Sequence, residues 1–223
     1  IEKLIDDPGQ SFSIRRIIRE KRSDQHSKGV WHCHPEYEIT LTLQSSGNRF
    51  IGYSLGEYSV FDFVLIGENV PHCWITNEHT EQIVINFKHG FLAGLMDQLP
   101  ELSLVSRLLS QSHRGIKFDI ETAKSSMQLI NEMDNQKGFD RLLSFLKLLD
   151  IMANSKNKEE LTFFDYKIKD SLIASSRIEA IYSYILINYK SDNISFSTLC
   201  QQLNLTKGAL CKFIKRITKK TFT

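Results

Sequence analysis

The hydrophobic period of this chain changes once, near Gly90, and that change limits the folds open to it. Before Gly90 the chain reads as short runs of strand character at residues 11–18, 36–44, 49–53, 58–66, 72–76 and 81–87, separated by Gly, Asn, Ser and Pro. Residues 36–44 alternate well, with Ile39, Leu41 and Leu43 on one face and Glu38, Thr40, Thr42 and Gln44 on the other. Many short strands at regular spacing specify a sandwich or a barrel. After Gly90 the spacing predicts helices over 102–109, 120–133, 139–153 and 176–189, with the polar run 154–160 as a loop. Residues 139–153 are apolar almost all round, with Leu142, Leu143, Leu146 and Leu149 on one side and Phe145, Leu148, Ile151 and Met152 on another. Such a helix must bury two faces. Packing on its own barrel plus a second subunit, or a central place in one chain's bundle, would both satisfy it.

Composition supports a folded chain: 223 residues, 41% apolar and 24% charged. The net charge of +2 hides an asymmetry. From Ile194 to Thr223 there are six Lys/Arg and no Asp/Glu, on a body that is mildly acidic. A basic end module on such a body points to a polyanion partner for that module. Cys33, Cys73, Cys200 and Cys211 form no Cys-x-x-Cys pair, so reduced thiols in a cytoplasmic protein are expected. The most apolar stretch, 145–152, is interrupted by Lys147 and Asp150, so no membrane span is expected.

The basic end encodes two short helices. Ser195 is an N-cap flanked by Ile194 and Leu199 as a hydrophobic staple, and Thr206 repeats the device with Leu205 and Leu210. Leu203-Asn204-Leu205 makes the turn between them. The second helix turns Leu210, Phe213, Ile214 and Ile217 inward and Lys207, Lys212, Lys215 and Arg216 outward, with Lys219 and Lys220 beyond. A cationic front can lie on phosphates while the first turn reaches base edges. Thr206, Lys207, Gly208, Cys211, Lys212, Lys215 and Arg216 are therefore the candidate DNA contacts. The run ISFSTLCQQLNLTKGALCKFIKRITKKTF resembles the first half of the AraC/XylS-family DNA-binding domain, with Cys211 where Ser is common and Lys219 where Gly is common. Residues 176–189 match the helix that precedes it in that family. The resemblance implies two helix-turn-helix units, of which the sequence reaches only the first, so weak DNA binding is expected.

Near the other end, Trp31-His32-Cys33-His34-Pro35-Glu36-Tyr37-Glu38 places His32 and His34 on one face of an extended strand, with Glu38 of the same parity. His72 follows in Gly67-Glu68-Asn69-Val70-Pro71-His72. His32, His34, Glu38 and His72 form a ligand set for a divalent transition metal. The pattern resembles the two motifs of a cupin barrel, although Asn77 lies one residue further from His72 than the pattern expects. The same residues would equally serve as a hydrogen-bonded, effector-facing cluster without metal. His26, His79, His89 and His113 are expected at the surface.

These observations predict an α+β chain: a cupin-like antiparallel barrel at 1–95, an all-α linking or dimerising region at 96–170, and an incomplete helix-turn-helix subdomain at 171–223. The resemblance implies a ligand-responsive transcription regulator, not an enzyme, acting as a homodimer without a membrane. A sugar or similar polar organic effector would occupy the barrel mouth. Trp31, Tyr37, Arg49, Tyr53 and Trp74 are expected to line it beside His32, His34, Glu38 and His72, with Arg49 reserved for any anionic group. The competing expectation is a metal-dependent cupin enzyme, a dioxygenase or sugar isomerase.

Overall fold

The computed structural model describes residues 9–20, 31–96, 98–162, 177, 180–185, 188, 194–218 and 221. Its strands are β1 (Phe12–Arg19), β2 (Tyr37–Gln44), β3 (Gly47–Ile51), β4 (Ser54–Tyr58), β5 (Phe63–Ile66), β6 (His72–Ile75), β7 (Thr80–Phe87), β8 (Ile116–Phe118) and β9 (Lys158–Glu160). They form two antiparallel sheets, ordered β1-β7-β2-β5-β8-β9 and β4-β3-β6.

Strand pairing sorts the large sheet's residues into two chemically different faces. Ile14 lies opposite Ile85, Ile85 opposite Ile39, and Ile39 opposite Leu65. This row continues through Phe12, Tyr37, Leu41, Phe63, Ile83 and Phe87 into one apolar core. The alternate row runs Arg15, Val84, Thr40 and Val64, flanked by Glu38 opposite Asn86 and Thr42 opposite Gln82. Glu38, Thr40, Thr42, Gln82 and Asn86 are all buried. The polar side of β2 therefore faces the interior between the sheets rather than water.

The helices cover the apolar face. They are α1 (His89–Met96), α2 (Ser103–Gln111), α3 (Ile120–Asn135) and α4 (Gly138–Ala153). Phe145, Leu148, Leu149 and Met152 of α4 are fully buried in the core with Val105, Leu108, Ile130 and Met133. Full burial of each such side chain contributes about 1.5–3 kcal/mol. Asp119 starts α3 by accepting a hydrogen bond from the Thr122 amide at 2.8 Å. On the other side of α4, Leu149 is buried and Leu146 packs against the core, but among the described residues nothing covers Phe139 and Leu143, which are 70% and 47% exposed.

The small sheet is packed from the opposite side. Phe50 and Cys73 share a core with the helical residues 180–185 (α5), α6 (Phe196–Gln202) and α7 (Lys207–Thr218), through Ile181, Tyr182, Tyr184, Leu199, Leu210, Phe213 and Ile214. The order in depth is thus helices, large sheet, small sheet, helix-turn-helix.

Three local expectations are corrected. The single strand expected over 58–66 is broken, because Phe61 takes a left-handed φ of 64° in a turn that hydrogen-bonds back to Thr42. Residues 96–170 are not purely helical, since β8 and β9 extend the large sheet beyond β5. The loop expected at 154–160 accordingly ends in strand β9. Gly67 is needed where β5 ends: its amide donates to the Ser112 carbonyl at 2.9 Å, and a Cβ there would lie 2.8 Å from the His113 nitrogen. Ser176, Ile178, Leu186 and Tyr189 of the expected helix, residues 190–193, and His26, Lys219, Lys220 and Phe222 lie outside the described residues.

Candidate functional site

The polar interior converges on four residues. Ligand atoms of His32, His34, Glu38 and His72 all lie within 4.8 Å of one another. Strand β2 carries Glu38, β6 carries His72, and a single bridge pairs His32 with His72. Glu36, of the same parity in sequence, is diverted by the bend at Pro35 and stays out of the cluster.

The hydrogen bonds around the cluster fix its tautomers. A carbonyl oxygen can only accept, so His34 Nδ1 donates to Glu36 O at 3.1 Å and His72 Nδ1 donates to Val70 O at 2.8 Å. This turns both Nε2 atoms toward Glu38, at 3.1 Å from His34 and 3.6 Å from His72. This is the outer arrangement that orients metal-ligating histidines. Thr40 donates to Glu38 Oε1 at 2.8 Å and Asn86 to Oε2 at 3.2 Å. Burial alone would raise the Glu38 carboxyl, but His72 and His34 outweigh it and hold it well below the usual carboxylate range. The four residues could hold a divalent metal ion: three imidazoles and one carboxylate suit a first-row transition metal.

Beside the cluster lies a cavity of about 510 Å³. Its walls include Trp31, His32, Glu38 and Trp74, as expected from the sequence, and also Arg15, Arg19, Thr40 and Gln82. His34 and His72, expected there too, belong to the cluster but not to this wall, and three other expected residues are elsewhere. Tyr37 belongs to the apolar face of β2, stacked on Phe87 at 5.1 Å, with its hydroxyl 3.0 Å from His89 Nδ1. Burial, aided by Glu68, pushes its phenol up to about 12. Arg49 does not reach the cavity: its Nε donates to Asp62 at 2.8 Å in a pair whose side chains are 2% and 1% exposed. Tyr53 packs between the small sheet and α5. Arg15 and Arg19 were not expected in this wall; they share β1's inner parity with Ile17, and that period-two spacing was the signal for them in the sequence.

The second candidate site is the helix-turn-helix. The Ser195 hydroxyl accepts from the Thr198 amide at 3.3 Å, and that of Thr206 from the Ala209 amide at 3.2 Å. Asn204 supplies the left-handed turn residue at φ 51°. Leu210, Phe213 and Ile214 are buried, whereas Thr206, Lys207, Gly208, Cys211, Lys212, Lys215 and Arg216 are all exposed. The guanidinium of Arg216 lies 5.8 Å from the Phe213 ring centroid.

Trp31 connects the two sites. It lines the cavity, and its ring lies 5.2 Å from Tyr182 of α5. Tyr182 also meets Phe50 edge-on at 4.5 Å, and its hydroxyl donates to Tyr53 O at 3.5 Å.

No family model and no curated protein sequence matches the chain. Solved structures do match. The AraC-like transcriptional activator CuxR aligns over 92% of this chain and 70% of its own, at 11% identity and a TM-score of 0.45. ToxT from Vibrio cholerae, bound to (E)-4-(8-methylnaphthalen-1-yl)but-3-enoic acid, aligns over 92% of this chain and 76% of its own, at 13% identity and a TM-score of 0.40. An RmlC-like cupin from Shewanella frigidimarina aligns over 34% of this chain and 66% of its own, just under two thirds of its length, at 12% identity and a TM-score of 0.31. At identities this low and TM-scores below 0.5, these likenesses assign no role to the chain. Among the described residues, no helix is long and apolar enough to cross a membrane.

Proposed function

We propose that the chain is a ligand-responsive DNA-binding regulator, with the effector in the barrel cavity and DNA on the exposed face of α7. Residues 1–95 supply the sensing barrel, 96–170 the helices and extra strands that brace it, and 171–223 the DNA reader. The carrying observation is that Trp31 belongs both to the cavity wall and to the core that seats the helix-turn-helix. A ligand that favours one position of Trp31 would bias how that module is held, and a ligand shifts an equilibrium only through such differential contact.

DNA affinity is the direct test. Fluorescence anisotropy of the 223-residue chain on labelled duplex DNA, measured across salt concentrations, is expected to show weak, steeply salt-dependent binding. Lys212→Gln with Arg216→Gln should flatten the slope by about 1 for each phosphate no longer neutralised. Binding that is absent at low salt, or indifferent to both substitutions, would sink the DNA half of the proposal.

The His32, His34, Glu38 and His72 cluster favours a second component, a bound divalent metal. When present, the ion would supply a Lewis acid to an oxygen donor of the ligand. A metal-dependent enzyme would draw on the same residues, and conversion of a bound compound by the metal-loaded protein would favour that reading over a sensor.

A further inference from the structure

We infer that the barrel cavity takes a small organic anion, whose carboxylate or phosphate oxygens are held by Arg15, with Arg19 adding positive charge on the same wall. This rests on the cavity being the effector site, and names the class of effector.

The register of β1 turns Arg15, Ile17 and Arg19 toward the cavity, and all three line it. Arg15 Nη2 donates to Asn86 Oδ1 at 3.0 Å, a neutral acceptor. Among the described residues, no carboxylate lies within ion-pair distance of Arg15 or Arg19. The wall's own carboxylate, Glu38, is already engaged by His34, Thr40 and Asn86. Among the described residues, two cationic forks are thus left facing a cavity whose one lining carboxylate is satisfied.

The neighbouring wall points the same way. Trp74 lines the cavity, and its Nε1–H is buried with no acceptor among the described residues. A buried unpaired donor in a cavity wall calls for an acceptor on the ligand. Open capacity here is dominated by donors and positive charge, which suits anionic oxygens better than hydroxyls that must also donate. The planar guanidinium matches carboxylate and phosphate geometry alike. Trp31 and Trp74 offer apolar faces for the body of the ligand, and about 510 Å³ is the size of a small-molecule site. Asn86 joins the arginine to the cluster, accepting from Arg15 and donating to Glu38, so the anion would be read beside the histidines.

Calorimetry and thermal shift on the full chain test this with benzoate, phenylpropionate and phenyl phosphate against benzamide, phenylpropionamide and glucose. The acids or the phosphate ester should bind and raise Tm while the neutral compounds do not, and the carboxylate and phosphate arms assign the head group. Arg15→Gln should weaken that binding roughly ten- to a hundredfold, with Arg15→Lys recovering part of it. Both arginines are exposed, so unliganded Tm should hold in these variants. Binding by neutral compounds alone, or anion binding that survives Arg15→Gln combined with Arg19→Gln, overturns the inference and leaves the effector reading standing. Binding by none of the six probes overturns both.

Discussion

Replacing Tyr182 by Ala should release the helix-turn-helix from the barrel without unfolding the barrel. Tyr182 is 4% exposed and sits between Phe50 and Trp31, at 4.5 and 5.2 Å between ring centroids. Truncating a buried large aromatic costs about 3–5 kcal/mol. Of that, each ring pair accounts for about 0.5–1.5 kcal/mol beyond buried area. The helices affected span residues 180–218, close to the length of about 40 residues below which a domain rarely stands on one core. A loss of this size lowers the docked population by roughly two to three and a half powers of ten. Hydrogen exchange followed by mass spectrometry reads the outcome segment by segment. Protection should collapse in α6 and α7 and persist in β2, β5 and β7. Tyr182→Phe keeps both ring pairs and removes only the long bond to Tyr53 O, so it should stay within about 1 kcal/mol of the parent. Unchanged protection in α6 and α7 of the Ala variant, or an equal loss in barrel and helices, would refute the shared-core account.

Other expectations are narrower. Asp62→Ala strands Arg49 in the interior and should cost about 3–5 kcal/mol in urea unfolding, with much of the loss recovered by Arg49→Met combined with Asp62→Leu. Thr206→Ala removes the cap of α7 and should lower stability by about 1 kcal/mol, read as reduced Tm and earlier exchange in that helix. Alkylation at pH 8 should label exposed Cys211 first and spare Cys73, whose thiol burial pushes up to about 12; peptide mapping that finds Cys73 modified early in folded protein would contradict this. Titration with Co²⁺ should give visible absorption bands that disappear in His72→Ala, and an unchanged spectrum in that variant would remove the cluster as the metal centre.

What the sequence revealed depended on how local the cause was. The caps at Ser195 and Thr206 act over three residues, so the helix-turn-helix could be placed to within a turn. The alternation in β2 was legible, but whether its polar side met water or the interior was not, because the small sheet that buries it lies elsewhere in the chain. The same ignorance misplaced Arg49, whose buried partner Asp62 comes from the segment between β4 and β5. It also hid Arg15 and Arg19, whose inward parity depends on the pairing of β1 with β7. Strands β8 and β9 are three residues each, too short to carry a period of their own; β8 pairs with the edge of β5, and β9 with β8. Helix α1 was hidden by Gly90 and Gly94, which weaken its local preference.

The two-faced large sheet has a consequence for how such a chain can change. Positions 15, 17 and 19 of β1, 38, 40 and 42 of β2 and 82, 84 and 86 of β7 share the inward parity, while Phe12, Ile14, Tyr37, Ile39, Leu41, Ile83, Ile85 and Phe87 pack into the core with the helices. Chemical selectivity and structural integrity are therefore written on alternate letters of the same words. A saturation scan should show tolerance rising and falling with a period of two. New ligands can be acquired by revising one set of letters while the other keeps the text readable.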